Sequence, residues 1–570
     1  LLVLREPESD LPELGWRTVP TDSVAESPLR HIVWSQPAEK FTEVKTPIEI
    51  EAKQPALITV DLGKIVLGRI FFDIDAPEGT VLDFGHAEDQ KNDRAFISKT
   101  VVMYGADRRV LPGKRKWIET FSPRGFRFID VLISNHSSPV TLHGAGVVEQ
   151  RYPYSFTGEF ECSEEDFNTL WKFGRRSLEL CSEDVFTDCP WRERTLYGGD
   201  LLPEMGTAAV LSRDLRIVRH SLEVLLQSVN EKGWMHSRAP VPRGGVTLSD
   251  YPLLTSIATD WYVGLTHDRD FAARAWRVFK SMSEAISTVR MDNGLYTPPS
   301  SAFIDHGREI QAGPTCEFNV ALVASFRAWA NIGRTAGAPA QETEKLEQLA
   351  NELDALIADT YFDKEALTFR DLPVTDGENR TEGTPANTWA LLFSRNARIH
   401  ADDALNAISK TMESFDPENE PESVSPYQMF YLLSALGLYN RADIAESAIR
   451  QVYARMLDEP TGTLWEASRP AQSLTHAWSS AINHYFATTV LGVKMGLTDC
   501  EDLTQIRIAP CADSIRWARG VVPHPLGAVK VDWKIRDGTL YISVNAPSDV
   551  RVSVTPAGPL ADMPCVINGK

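Results

Sequence analysis

Fourteen consecutive residues, Thr187-Asp188-Cys189-Pro190-Trp191-Arg192-Glu193-Arg194-Thr195-Leu196-Tyr197-Gly198-Gly199-Asp200, gather three acids, two arginines and two aromatics around a proline and a glycine pair. Carboxylates can share the proton transfers that break a glycosidic bond. A guanidinium fork can hold a sugar hydroxyl or carboxylate, and an aromatic face can pack on the C–H side of a pyranose. The same residues also suit a capped helix start, with Asp188 as cap, Glu193 in the first turn and the arginines solvated. Residue types alone leave both readings open. Cys189 has no histidine near it in the chain to act as a base, so it reads as structural.

A second cluster lies some 270 residues later. Gly462-Thr463-Leu464-Trp465-Glu466-Ala467 reads as a loop, and Ser473-Leu474-Thr475-His476-Ala477-Trp478-Ser479 as the start of a helix. An acid beside two tryptophans and a histidine could line a pocket. It could equally be two core tryptophans, a capping histidine and a solvated Glu466.

The elements that must position these clusters fall into three parts after a Pro-rich lead (1–35). Residues 36–155 alternate in short apolar runs, as in 56–62, 68–74, 81–84 and 124–131, with a turn at Pro77-Glu78-Gly79. They predict a β-sandwich. Residues 156–495 change to helical periodicity, with twelve candidate helices near 164–182, 200–211, 213–229, 249–265, 269–289, 316–335, 341–360, 385–396, 402–414, 425–437, 441–456 and 475–490. Twelve helices can close as six hairpins, an (α/α)6 barrel. Residues 496–570 return to strands: Val529 to Ile535, a turn at Arg536-Asp537-Gly538, Leu540 to Val544, then Val550 to Val554 completing a small antiparallel sheet. The predicted fold class is therefore multidomain α and β, with the barrel flanked by a β-sandwich and a small β domain.

At 570 residues and 43% hydrophobic content the chain can bury several cores. A formal net charge of −20 argues against nucleic acid or an anionic membrane as partner and favours a small neutral or sugar-like substrate. No apolar run approaches the roughly 20 residues that span a bilayer. Seven scattered cysteines do not read as a disulfide framework. With no signal-peptide core at Leu1-Leu2-Val3-Leu4, they favour a cytoplasmic over a secreted location. No metal-ligand spacing, Walker loop or dinucleotide fingerprint is present, so neither metal nor cofactor is expected. The oligomeric state is left open, a homodimer included.

Together the two clusters resemble the α-L-rhamnosidases, inverting six-hairpin glycosidases of glycoside hydrolase family 78. The resemblance rests on Asp188-Cys189-Pro190-Trp191-Arg192-Glu193 with Tyr197-Gly198-Gly199-Asp200, on Thr463-Leu464-Trp465-Glu466, and on Ser473-Leu474-Thr475-His476-Ala477-Trp478-Ser479. It continues in Val60-Asp61-Leu62-Gly63, in Pro123-Arg124-Gly125-Phe126-Arg127-Phe128 and in Ile506-Arg507-Ile508-Ala509-Pro510, and covers about residues 40 to 560.

The resemblance implies release of terminal α-L-rhamnose from small glycosides or oligosaccharides, with inversion. Glu193 matches the general acid and Glu466 the general base. Asp188, Arg192 and Asp200 match sugar ligands, and His476 a hydroxyl ligand. Trp191, Trp465 and Trp478 are candidates for contact with the ring or its 6-deoxy methyl group. Asp250, in Ser249-Asp250-Tyr251-Pro252, resembles another sugar-binding acid and reads equally well as an N-cap. Tyr197 and His306 stand where many members have Trp, the latter after Phe303-Ile304-Asp305, whose acid is also a candidate sugar ligand. A glycosidase of other specificity or a polysaccharide lyase could use the same barrel. A noncatalytic sugar-binding protein could keep the aromatics.

Overall fold

The computed structural model describes residues 46–91, 93–97, 105–241, 248–306, 313–374, 383–416, 424–459, 461–495 and 502–569. The lead segment 1–35 lies outside them.

The N-terminal part is an antiparallel sheet built on one long extended run, Ala56–Ala87, which pairs with Ala106–Glu119, Arg124–Ser134 and Val140–Glu149. The three strands predicted within this run are continuous in the backbone, but the ladder shifts register between Asp61 and Val66 and between Glu78 and Val81. Gly63 and Gly79, at φ 75 and 84, supply the left-handed turns that let the run double back. Ile70, Phe72 and Ile74 point into a core shared with Leu82, Phe84, Phe126 and Ile129, while Phe71 and Asp73 face outward, the two-residue period of a half-buried strand.

The middle part is the predicted barrel. Its outer helices are α1 (Glu165–Leu180), α3 (Arg216–Leu226), α5 (Arg269–Ile286), α7 (Ala340–Tyr361), α9 (Ala401–Glu413) and α11 (Ala442–Val452). They alternate along the chain with inner helices α2 (Leu201–Leu211), α4 (Tyr251–Thr266), α6 (Cys316–Ala336), α8 (Thr384–Phe393), α10 (Met429–Leu438) and α12 (Ala481–Tyr485). Composition decides which ring each joins. Helix α2, Leu-Leu-Pro-Glu-Met-Gly-Thr-Ala-Ala-Val-Leu, has no polar face and is buried along its whole length, as is α8. Helix α3 carries Ile217, Val218, Leu222 and Leu225 on a buried side and arginines on the other, so it must lie outside. Each inner helix packs on the next, and α12 packs on α2 to close the ring. The predicted segment 475–490 is less regular than expected: a 3₁₀ turn (Ala477–Ser480) leads into α12, and a π-helical turn (Phe486–Val490) ends it.

In the C-terminal part, Gly527–Arg536 and Thr539–Asn545 form the expected hairpin, with Asp537 and Gly538 both at positive φ as a two-residue turn requires. Arg551–Val554 does not complete that sheet but pairs in parallel with Gln505–Ile508. The sheet is completed instead by Trp517–His524, by Cys565–Gly569 and, at its edge, by Glu159–Cys162, a segment the sequence reading assigned to the helical domain. The indole of Trp533 donates to Val490 O at 2.9 Å and ties this sheet to the end of α12. No helix among the described residues is long and apolar enough to cross a membrane.

Candidate active site

The loops that run from outer to inner helices converge at the N-terminal ends of the inner ring. The α1–α2 loop carries 188–200, the α3–α4 loop Arg238 and Leu248, the α5–α6 loop Phe303 and His306, and the α11–α12 loop Glu466 to Trp478. They enclose a cavity of about 350 Å³ lined by Asp188, Arg192, Glu193, Tyr197, Asp200 and Glu466, with His476 and Trp478 beside them. This is at the small end of the about 300–1,000 Å³ usual for small-molecule sites. A cavity of about 340 Å³ against the C-terminal part has Lys494 and Arg507 in its lining and no carboxylate.

One guanidinium joins the two candidate catalytic acids. Arg192 Nη1 donates to Glu193 Oε1 at 2.5 Å, and Nη2 donates to Glu466 Oε1 at 2.6 Å. Bonded to two nitrogens of one planar fork, the nearest carboxylate oxygens lie no more than about 7 Å apart. The other Glu193 oxygen accepts from Tyr197 Oη at 2.8 Å, and that hydroxyl accepts from Arg238 Nη1 at 2.8 Å. A short antiparallel pairing of Leu196–Tyr197 with Arg238–Ala239 brings those two residues together.

Glu466 is held by its own loop. Its amide donates to Ser473 O at 3.0 Å, and the Ser473 amide donates back to Glu466 Oε2 at 3.2 Å. The Trp478 indole donates to its carbonyl at 3.1 Å. Burial alone would push the Glu466 carboxyl up, but His476, Arg192 and His306 outweigh it and hold the acid well below the usual carboxylate range. His476 lies between Asp200 (Nε2 to Oδ2, 3.3 Å) and Glu466 (Nδ1 to Oε2, 3.8 Å). Burial would lower its pKa, yet the two carboxylates raise it to about 9, so it is an imidazolium at neutral pH. Its ring centroid is 3.7 Å from that of Trp478.

Asp188 is fully enclosed. Its Oδ1 accepts from the Thr195 amide at 2.7 Å, and its Oδ2 from Cys189 Sγ at 3.2 Å. Burial first, then Glu193 and Asp200, push it up to about 7 against the opposing charge of His476. Burial also raises Asp200. The Cys189 thiol, pushed well up by burial and then by Asp188, is no nucleophile. Asp188, Cys189 and His476 form the one His/Cys/Asp/Glu group among the described residues whose donor atoms, all within 4.8 Å, could hold a metal ion.

Four predicted sugar contacts lie off the cavity wall. Trp191 points into the N-terminal sheet among Ala87, Ala95, Ile97 and Phe128. Trp465 is buried beneath the loop, its indole donating to Thr461 Oγ1 at 2.9 Å. Asp250 sits at the N-cap position of α4, but its oxygens accept from Phe303 N and Ile304 N, both at 3.0 Å. It thereby braces Ile304, a β-branched residue at φ 57. Asp305 accepts from the Ser425 hydroxyl and from His306 N. These two acids hold the 303–306 turn so that Phe303 and His306 face the cavity. Arg238, Leu248, Tyr251 and Gln472 complete the wall and are absent from the predicted set. Gln472 Nε2 meets His306 Nε2 at 3.1 Å. No periodicity or motif marks Arg238 or Gln472; only tertiary pairing brings them in.

Closed barrel and carboxylate-lined cavity define a six-hairpin protein with its site on the outer-to-inner loops. The chain belongs to the bacterial alpha-L-rhamnosidase six-hairpin glycosidase domain family, whose model matches residues 155–490. The concanavalin-like domain of bacterial alpha-L-rhamnosidases matches residues 51–148, and their C-terminal domain matches 504–563. An alpha-L-rhamnosidase of Formosa agariphila is 21% identical over 478 residues, 78% of this chain and 48% of that protein. The crystal structure of a family 78 rhamnosidase of Bacillus sp. GL1 superposes with a TM-score of 0.77 at 24% identity, covering 93% of this chain and 56% of that one. A Streptomyces avermitilis alpha-L-rhamnosidase complexed with L-rhamnose gives 0.67 at 18%, covering 89% and 50%. The chain thus spans about half the length of these relatives.

Proposed function

We propose that the protein is an inverting α-L-rhamnosidase acting on small glycosides or oligosaccharide ends. The observation that carries this reading is the Arg192 bridge, which puts Glu193 and Glu466 in one cavity although they come from loops at opposite ends of the barrel sequence. Glu466 is ionised, the state a general base needs, and a sugar that draws Arg192 away from it raises its basicity toward that of an ordinary carboxylate. Glu193 faces it across the cavity and protonates the leaving oxygen; retaining and inverting enzymes both use such a pair, and inversion is the outcome the family resemblance implies. Asp200 adds negative potential where positive charge grows on the sugar ring, Asp188 does so in its ionised fraction, and the imidazolium of His476 lies against Glu466. General acid and base steps of this kind each contribute about 10²–10⁴-fold.

The chemistry of the wall favours a 6-deoxy sugar, with Trp478, Phe303 and Leu248 offering apolar contact. A cytoplasmic location fits the six described cysteines, all free and five of them buried. The test is a panel of aryl α-glycosides, with L-rhamnoside compared against L-mannoside and L-lyxoside. Proton NMR of the first-formed sugar follows. Preferred cleavage of the rhamnoside to the β anomer is expected. A lyase would instead leave this panel intact and cleave a uronate-containing polysaccharide to an unsaturated uronate that absorbs in the ultraviolet.

A further inference from the structure

We infer that Glu88, in the N-terminal sheet part, is a positioning residue for the catalytic pair, and that this part of the chain holds both catalytic loops from outside the barrel. The inference rests on the reading of Glu193 and Glu466 given above. Three separate contacts support it.

Glu88 follows the long run Ala56–Ala87 and is 1% exposed. Its Oε2 accepts from the amide of Leu474 at 2.6 Å, across 386 residues of chain. Leu474 lies on the loop segment that cradles Glu466: its neighbour Ser473 exchanges two hydrogen bonds with Glu466, and His476 N donates to Leu464 O at 2.9 Å. A buried carboxyl group on a backbone amide is a strong, directional bond, so the position of Glu88 sets the position of this loop segment.

The other catalytic loop is held the same way. The Gly125 amide donates to Pro190 O at 2.7 Å, and a Cβ at position 125 would lie 2.5 Å from Pro190 Cβ, so this approach needs glycine. The next residue, Trp191, is wedged among Ala87, Ala95, Ile97 and Phe128. Residues 190 and 191 are thus packed into the sheet immediately before Arg192 and Glu193 emerge into the cavity. The separation of acid and base is therefore set partly by the sheet, and a displacement of about 1 Å in such a pair can cost about 10²-fold in rate.

The test compares Glu88→Ala, Glu88→Gln and Gly125→Ala, with Glu466→Gln alongside, on an aryl α-L-rhamnoside. Glu88→Ala should lower kcat by about 10²-fold with KM within a few-fold. Glu88→Gln, whose amide oxygen can still accept from Leu474, should recover most of that loss. Gly125→Ala should lower kcat through the other loop. Hydrogen exchange, read independently of turnover, should show the Leu474 amide exchanging faster in Glu88→Ala while the inner helices stay protected. A Glu88→Ala protein within twofold of the parent kcat, or with unchanged exchange at Leu474, overturns the inference. If Glu88→Ala fails to fold, Gly125→Ala decides: parental kcat overturns the inference. Turnover retained in Glu466→Gln would instead overturn the assignment of the pair.

Discussion

Arg192 and Glu466 are joined at 2.6 Å across 274 residues of sequence, and the same guanidinium reaches Glu193 at 2.5 Å. A sugar seated between the two acids must share or displace these contacts. In the proposed mechanism Arg192 is therefore part of the reaction's geometry as well as a sugar ligand.

Replacing Arg192 by Met should lower kcat/KM by about 10²-fold or more, the scale for removing one partner of a buried ion pair. Arg192 is one of the groups that hold Glu466 low, so its loss should move the acidic limb of the pH–rate profile to higher pH. An unmoved limb would show that Arg192 does not set the ionisation of Glu466.

Tyr197→Phe removes the hydroxyl that links Arg238 to Glu193. Loss of a hydrogen bond to a charged group is worth about 1.5–3 kcal/mol, so kcat should fall by about 10-fold or more. Thermal stability should fall as well, by up to the same amount. The check is steady-state kinetics beside a melting curve.

His476 makes stability fall with rising pH. Its pKa in the fold is about 9, above the ordinary 6.5, so its stabilising contribution is full below pH 6.5 and is lost as pH rises through 9. Asp188, raised from 3.8 to about 7, acts in the same direction at lower pH: its contribution is full below 3.8 and is lost as pH rises through 7. The difference in melting temperature between the parent and His476→Gln should therefore shrink as pH rises from 6.5 through 9.

Trp191→Ala and Trp478→Ala should separate packing from binding. Trp191 is 2% exposed in the sheet, and its truncation should cost about 3–5 kcal/mol of stability with little change in KM. Trp478 lines the cavity beside His476, and its truncation should raise KM. Denaturant unfolding and initial rates distinguish the two.

The barrel was legible because its signal is local. Apolar periodicity marks α7, and each predicted helical segment has its counterpart. Glu193, Glu466, Asp188, Asp200 and His476 were legible as two compact motifs, and the structure brings them together. The failures have one physical cause. Trp191, Trp465, Asp250 and Asp305 have residue types that suit sugar contact, but which way a side chain points depends on what its loop packs against. Trp191 turns toward the sheet because Ala87 and Phe128 offer an apolar pocket there. Asp250 and Asp305 turn toward backbone amides and a hydroxyl that would otherwise be buried without acceptors. Glu159–Cys162 went unread as a sheet edge because its partner strand lies over 350 residues away.

The division of labour between Glu193 and Glu466 is tested most directly by comparing Glu193→Gln and Glu466→Gln on two α-L-rhamnosides, one with a poor alkyl leaving group and one with dinitrophenolate. A good leaving group needs no proton. Glu193→Gln should therefore be nearly inactive on the alkyl glycoside yet keep much of its rate on the dinitrophenyl one, whereas Glu466→Gln should lose about 10²–10⁴-fold on both. Equal losses on both substrates for Glu193→Gln, or near-parental rates for Glu466→Gln, would contradict the assignment.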